Sequence, residues 1–128
     1  MKKISLILLV LATILSSCTA QSSKGGKDIS PEEFKTKMSE THIILLDVRT
    51  AQEVTQGKIP GSINIDIHDP QFDSKTNAID KSKTILVYCA VGGRSAKAMN
   101  QLANKGYTVY NLTGGVKAWN SKGFEITK

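Results

Sequence analysis

Two unbroken apolar runs, 42–48 (HIILLDV) and 84–89 (TILVYC), constrain the fold more than any other feature of the chain. Each is too short for a core helix, and neither alternates apolar with polar residues. Strands buried on both faces read this way, and such strands belong to parallel sheets covered by helices. The stretches around them fit. Ser30-Pro31-Glu32-Glu33 is a helix start: Ser30 caps, Pro31 suits the first helical position and Glu33 completes a capping box. That helix is expected to reach Glu40. A short helix over 51–56 is closed by Gly57, and 62–67 is a short strand. Pro70 and weak periodicity leave 69–78 irregular. Residues 95–105 are helical, with Ala96, Met99, Leu102 and Ala103 on one face and Gly106 at the end. A strand over 107–111 and a helix over 116–122, anchored by Trp119, complete the pattern. Strands alternating with helices predict an α/β fold, a parallel sheet with helices on both faces. Ligands in such sheets sit at the carboxyl ends of the strands. Asp47 and Cys89 both fall there.

The first residues belong to a different kind of segment. Met1-Lys2-Lys3 is a positive start, followed by an uncharged apolar run over 4–15. A bilayer span needs about 20 apolar residues, so residues 1–17 read as a signal peptide. Leu15-Ser16-Ser17-Cys18 resembles a bacterial lipobox. That resemblance implies acylation of Cys18, a membrane anchor through its lipid, and export, with the domain facing the periplasm. Thr19 after Cys18 carries no inner-membrane retention signal by the same resemblance, which favours an outer membrane. Residues 18–28 are polar and read as the lipidated cysteine and a flexible tether, and 29–128 as the single domain. Loss of Lys2 and Lys3 with the signal lowers the net charge from +6 to +4. The chain has two cysteines, so lipidation of Cys18 leaves Cys89 without a disulfide partner.

A lone thiol in an exported protein is either buried and inert or present for its reactivity. Its surroundings favour the second. Cys89 ends a strand, Ser95 begins the expected helix, and Ala90, Val91, Gly92, Gly93 and Arg94 lie between. The glycines let the backbone curl with its N–H groups inward, and the helix start adds positive potential. A thiolate there is stabilised, so its pKa is expected below the free value of about 8.5. Such a cradle serves either a persulfide or a phosphoryl-type oxyanion.

Three segments then carry a resemblance. Asp47-Val48-Arg49, Glu53 and Gly57-Lys58-Ile59-Pro60-Gly61-Ser62-Ile63-Asn64-Ile65 form the first. Cys89-Ala90-Val91-Gly92-Gly93-Arg94-Ser95 forms the second, and Leu112-Thr113-Gly114-Gly115-Val116 with Trp119 and Gly123-Phe124 the third. In this order the chain resembles single-domain rhodanese-like sulfurtransferases over 29–126. The resemblance implies that Cys89 takes a sulfane sulfur from a small-molecule donor, becomes a persulfide and passes the sulfur to a thiol or cyanide acceptor. Arg94 would attract anionic donors and stabilise the loop. Asp47 and Arg49 would hold the neighbouring strand end, as an ion pair or in a direct role, with Arg49 within reach of Glu53. Lys58 stands where the family usually has His. Glu53 and Val91 replace cations of the two-domain thiosulfate enzymes, which puts thiosulfate in doubt as the donor.

Two other functions compete. A phosphatase or arsenate reductase on the same fold commonly has a loop one residue longer, room for a tetrahedral oxyanion. A non-catalytic thiol or sulfur-binding module would exchange with another exported thiol protein. No cofactor is implied: Gly114-Gly115 lacks the Lys-Ser/Thr of a phosphate loop. His42 and His68 lack metal-ligand spacing. Aromatics are 5% of residues and no basic stripe interleaves them, so nucleic acid is not an expected partner.

Overall fold

The computed structural model describes residues 25–128; the stretch read as a signal peptide, Cys18 and most of the stretch read as a tether lie outside them. Ten elements follow in order: β1 (Gly26–Ile29), α1 (Pro31–Lys37), β2 (Ile43–Asp47), α2 (Ala51–Val54), β3 (Ile63–Asn64), α3 (Phe72–Asn77), β4 (Thr84–Tyr88), α4 (Gly93–Asn104), β5 (Thr108–Leu112) and α5 (Gly115–Ser121). The five strands form one parallel sheet in the order β1-β5-β4-β2-β3. The two apolar runs are its middle, β2 and β4.

Alternation along β4 divides the core. Ile85, Val87 and Cys89 point to one face, where Phe72 of α3 and Ala98, Met99 and Leu102 of α4 cover them. Leu86 and Tyr88 point to the other, against Phe34 of α1 and Trp119 of α5. Phe34, Tyr88, Trp119 and Phe124 meet edge-to-face there, with neighbouring centroids 4.9–6.5 Å apart. Helices on both faces, as expected, close the sheet.

Several local expectations are corrected. Residues 26–28, read as tether, form β1 with Ile29: they are exposed and polar, and backbone pairing with β5 rather than apolar pattern makes them a strand. The irregular stretch contains α3, which buries only Phe72 and Thr76 and so carries little helical periodicity. The strand expected over 62–67 shrinks to Ile63–Asn64, both exposed. Ser30 Oγ accepts the Glu33 N–H at 3.1 Å, but the full capping box forms at α2, between Thr50 and Glu53. The buried face of α4 is Ser95, Ala98, Met99 and Leu102; of the expected set, Ala96 and Ala103 are only half-buried. Among the described residues no helix is long and apolar enough to cross a membrane.

Candidate active site

Parallel pairing sets Asp47 opposite Tyr88, so the ends of β2 and β4 share one edge of the sheet. Cys89 follows Tyr88 there and is fully buried under its own loop. Gly92, at φ 106°, turns the chain into α4. Only glycine takes that conformation without strain, and it aims the Gly92 N–H at Cys89 Sγ at 3.1 Å. The Ser95 hydroxyl lies 3.3 Å from the same sulfur and 3.2 Å from the Gly92 carbonyl oxygen. Its single proton serves one or the other, and a charged sulfur is the stronger acceptor. Burial pushes the Cys89 thiol up; the Ser95 hydroxyl and the Ser95, Gly92 and Val91 amides together outweigh it and hold the pKa below its usual range. Gly93, Arg94 and Ser95, expected in the loop or at the helix start, all lie in the first turn of α4.

Arg94 does not stand free beside the sulfur. Its Nη1 and Nη2 donate to the two Glu53 carboxylate oxygens at 2.8 and 2.7 Å, a fork-to-fork pair. Glu53 also accepts the Thr50 N–H and hydroxyl, each at 3.0 Å. The Arg94 guanidinium, with the Thr50 groups helping, holds the Glu53 carboxyl at about 2 against burial; Glu53 in turn raises the Arg94 pKa. The Thr50-x-x-Glu53 spacing is a capping pattern that was not singled out in the sequence. The tie of Glu53 to Arg94 leaves no local pattern at all, since the contact joins residues 41 apart.

Arg49 meets Asp47 instead of the Glu53 side chain. Nε and Nη2 donate to Asp47 Oδ1 and Oδ2 at 2.9 and 2.7 Å, and Nη2 also donates to the Gly57 carbonyl at 2.8 Å. It touches Glu53 only at the main-chain oxygen, at 3.5 Å, because the Glu53 carboxylate is turned to Arg94. The pair is almost fully buried. Asn64 donates to the main-chain oxygens of Asp47 and Arg49, and Tyr88 bonds Ser62 and the Ile59 N–H. Asn64 stood in the sequence only within the first resemblance segment, with no role of its own, and Tyr88 was not singled out, since an aromatic in a buried strand carries no distinctive pattern. From the other side, the N–H groups of Val116 and Lys117 donate to the Cys89 and Ala90 carbonyls at 2.9 and 3.1 Å, docking α5 on the loop. No group of three or more His, Cys, Asp or Glu poised for a metal occurs among the described residues.

Fold and site together define a single-domain α/β protein built around one cradled cysteine at the carboxyl edge of a parallel sheet. A model of the rhodanese-like domain matches residues 30–122, and the chain belongs to that family. It is 33% identical over 101 residues to a sulfurtransferase of Allochromatium vinosum, covering 77% of this chain and 92% of that one. It is 34% identical over 95 residues to a tRNA uridine(34) hydroxylase of Cytophaga hutchinsonii, covering 71% of this chain but 30% of that longer one. The crystal structure of a rhodanese-related protein from Thermoplasma volcanium superposes with a TM-score of 0.71 at 29% identity, over 79% of this chain and 97% of that chain.

Proposed function

We propose that the protein is a sulfurtransferase carrying sulfane sulfur on Cys89. The observation that carries this reading is the cradle at Sγ, where the Gly92 N–H and the Ser95 hydroxyl converge on a buried thiol. Donors so placed stabilise a thiolate, the nucleophilic form of sulfur. The thiolate attacks the sulfane sulfur of the donor. The new Sγ–S bond forms as the donor's bond to that sulfur breaks, and its electron pair leaves with the donor remnant. A thiol or cyanide then attacks the outer sulfur, and the electron pair of the Sγ–S bond returns to Sγ. Oxyanion chemistry is disfavoured by Arg94: four residues separate it from Cys89, and its guanidinium is committed to Glu53. Mass spectrometry of the domain after exposure to a sulfane donor tests the reading. One added sulfur, removed by cyanide and absent in Cys89→Ser, is the expected result. A folded wild-type domain that never gains it overturns the proposal.

We also propose that Cys18 is acylated and that its lipid holds the domain at the outside of a bacterial membrane. The support is the lipobox sequence alone, Leu15-Ser16-Ser17-Cys18. Wild-type protein should partition into detergent and Cys18→Ser should not; equal partitioning would exclude the anchor.

A further inference from the structure

Gly92 holds Cys89 Sγ through its N–H, and its carbonyl oxygen has three donors around it. The Ala96 N–H lies at 3.1 Å, the Ser95 hydroxyl at 3.2 Å and Asn111 Nδ2 at 3.5 Å. A carbonyl oxygen offers two lone pairs. The Ala96 N–H takes one as the first main-chain bond of α4, so Ser95 and Asn111 contend for the other. Ser95 has a single proton and a second acceptor in reach, Cys89 Sγ at 3.3 Å. The direction of that proton depends on whether the Gly92 oxygen is supplied from elsewhere.

Asn111 is placed to supply it. It lies near the end of β5, the strand beside β4, and is 3% exposed. Its amide is oriented from β1, where Asp28 Oδ1 accepts from Nδ2 at 2.9 Å. One N–H then meets Asp28 and the second faces Gly92. The orientation has a visible cost: Asn111 Oδ1 is buried without a hydrogen-bond partner among the described residues. Buried polar atoms are nearly always paired, and an exception calls for a reason. Packing gives none, since an apolar side chain would fill the position without an orphaned oxygen. The other end of the amide does.

We propose that Asn111, oriented by Asp28, is a positioning residue for the nucleophile: it occupies the Gly92 carbonyl oxygen and so releases the Ser95 hydroxyl to the Cys89 sulfur. The assignment rests on the reading of Cys89 as the nucleophile. A neutral thiol is a weak acceptor, and beside it the Ser95 proton favours the Gly92 oxygen. When the thiolate forms, the hydroxyl rotates to the sulfur and the Asn111 N–H closes on the lone pair it leaves. No proton is transferred between Ser95, Gly92 and Asn111. The charged side chains on the elements around Cys89 do not take part: Arg94 is paired with Glu53, Arg49 with Asp47, and Lys97 of α4 and Lys117 of α5 are exposed. On α3, Asp73 and Lys75 are each in an ion pair.

The test is the pH profile of Cys89 alkylation by iodoacetamide, followed on the Cys89 peptide by mass spectrometry, in wild type, Asn111→Leu, Ser95→Ala and the double variant. Asn111→Leu keeps a branched side chain and removes the amide. Its profile should move to higher pH, with alkylation slower by about threefold below the midpoint, the scale of one neutral hydrogen bond redirected. In the Ser95→Ala background the same substitution should change nothing, because both act through one proton. An unmoved profile, or an equal shift in both backgrounds, overturns the proposal. Asp28 is exposed, so two variants there give a second reading that does not depend on the folding of Asn111→Leu. Asp28→Asn removes the charge but keeps an acceptor for the amide, whereas Asp28→Ala removes both. The Ala variant should titrate above the Asn variant, and coincident profiles overturn the proposal. The sulfur-transfer reading fails separately. A coupled profile in a protein that never gains sulfur sinks that reading and leaves the positioning role, and sulfur loading with uncoupled profiles does the reverse.

Discussion

At the scale of single residues, Cys89 is set between burial, which opposes its charge, and the hydrogen-bond donors that favour it. Ser95 is the side chain among those donors, so Ser95→Ala removes one without touching the backbone. The thiol pKa should rise. Alkylation of Cys89 by iodoacetamide should then slow several-fold at neutral pH, the cost of a hydrogen bond to a charged group, and recover as pH passes the ordinary thiol range. An unchanged pH profile would show that the amides alone suffice. Glu53 plays the opposite part, since it spends the loop's one cation. Glu53→Gln keeps a side chain able to cap α2 but loses the ion pair. Thiosulfate should load Cys89 several-fold faster in that variant, because Arg94 regains an unpaired charge beside the sulfur. The stability side has a definite sign. Glu53 is held at about 2 instead of 4.5, so its contribution is complete above about pH 4.5 and is lost as pH falls toward 2. The pair is part-exposed and worth at most about 1 kcal/mol. The small gap in melting temperature between wild type and Glu53→Gln at pH 7 should close over that acid window.

At the scale of elements, the ends of β2, β4 and α5 are locked together, and each lock can be broken singly. Asp47 neutralises a buried Arg49 that also reaches Gly57. Asp47→Asn leaves that guanidinium buried without its counter-charge and should destabilise the domain by about 3–5 kcal/mol in urea unfolding. A loss under 1 kcal/mol would mean that Arg49 escapes to solvent. Gly115 is the other lock. It sits at φ 63°, and a β-carbon there would fall 2.5 Å from the Ala90 carbonyl carbon and oxygen. Gly115→Ala should cost about 2–4 kcal/mol through left-handed strain and forced separation of α5 from the loop. The same elements show what the sequence made visible. β2 and β4 were legible because burial on both faces writes an apolar run, and α5 because Trp119 lies in register with Val116. α3 was not, since a helix that buries two residues has no stripe to read. The start of α4 was misplaced because Gly93, a loop residue by composition, is already helical once Gly92 turns the chain. Cys89 and its loop could be singled out from local sequence, whereas the Glu53–Arg94 pair exists only when α2 and α4 have been brought together.

At the scale of the whole molecule, the domain begins earlier than composition indicates. Gly26, Lys27 and Asp28 read as linker because flexible linkers and exposed edge strands share the same residues. Only the parallel pairing of Gly26–Ile29 with Val109–Leu112 separates the two cases. That pairing reaches the site. Asp28 Oδ1 accepts from Asn111 Nδ2 at 2.9 Å, and Asn111, which is 3% exposed, also faces the Gly92 carbonyl at 3.5 Å. The order of the Asn111 amide is fixed by its neighbours, since both are acceptors and only the NH₂ can face them. A chain beginning at Ile29 therefore loses more than a tail. It leaves a buried amide without its partner, at about 1–3 kcal/mol, and exposes the edge of β5. Its melting temperature should fall by about 4 °C or more relative to a chain beginning at Gly25. Asp28→Ala in the longer chain should reproduce part of the loss, because the strand remains and only the Asn111 bond is gone. Equal melting of the chains beginning at Gly25 and Ile29 would return residues 26–28 to the tether and place the edge of the domain at β5.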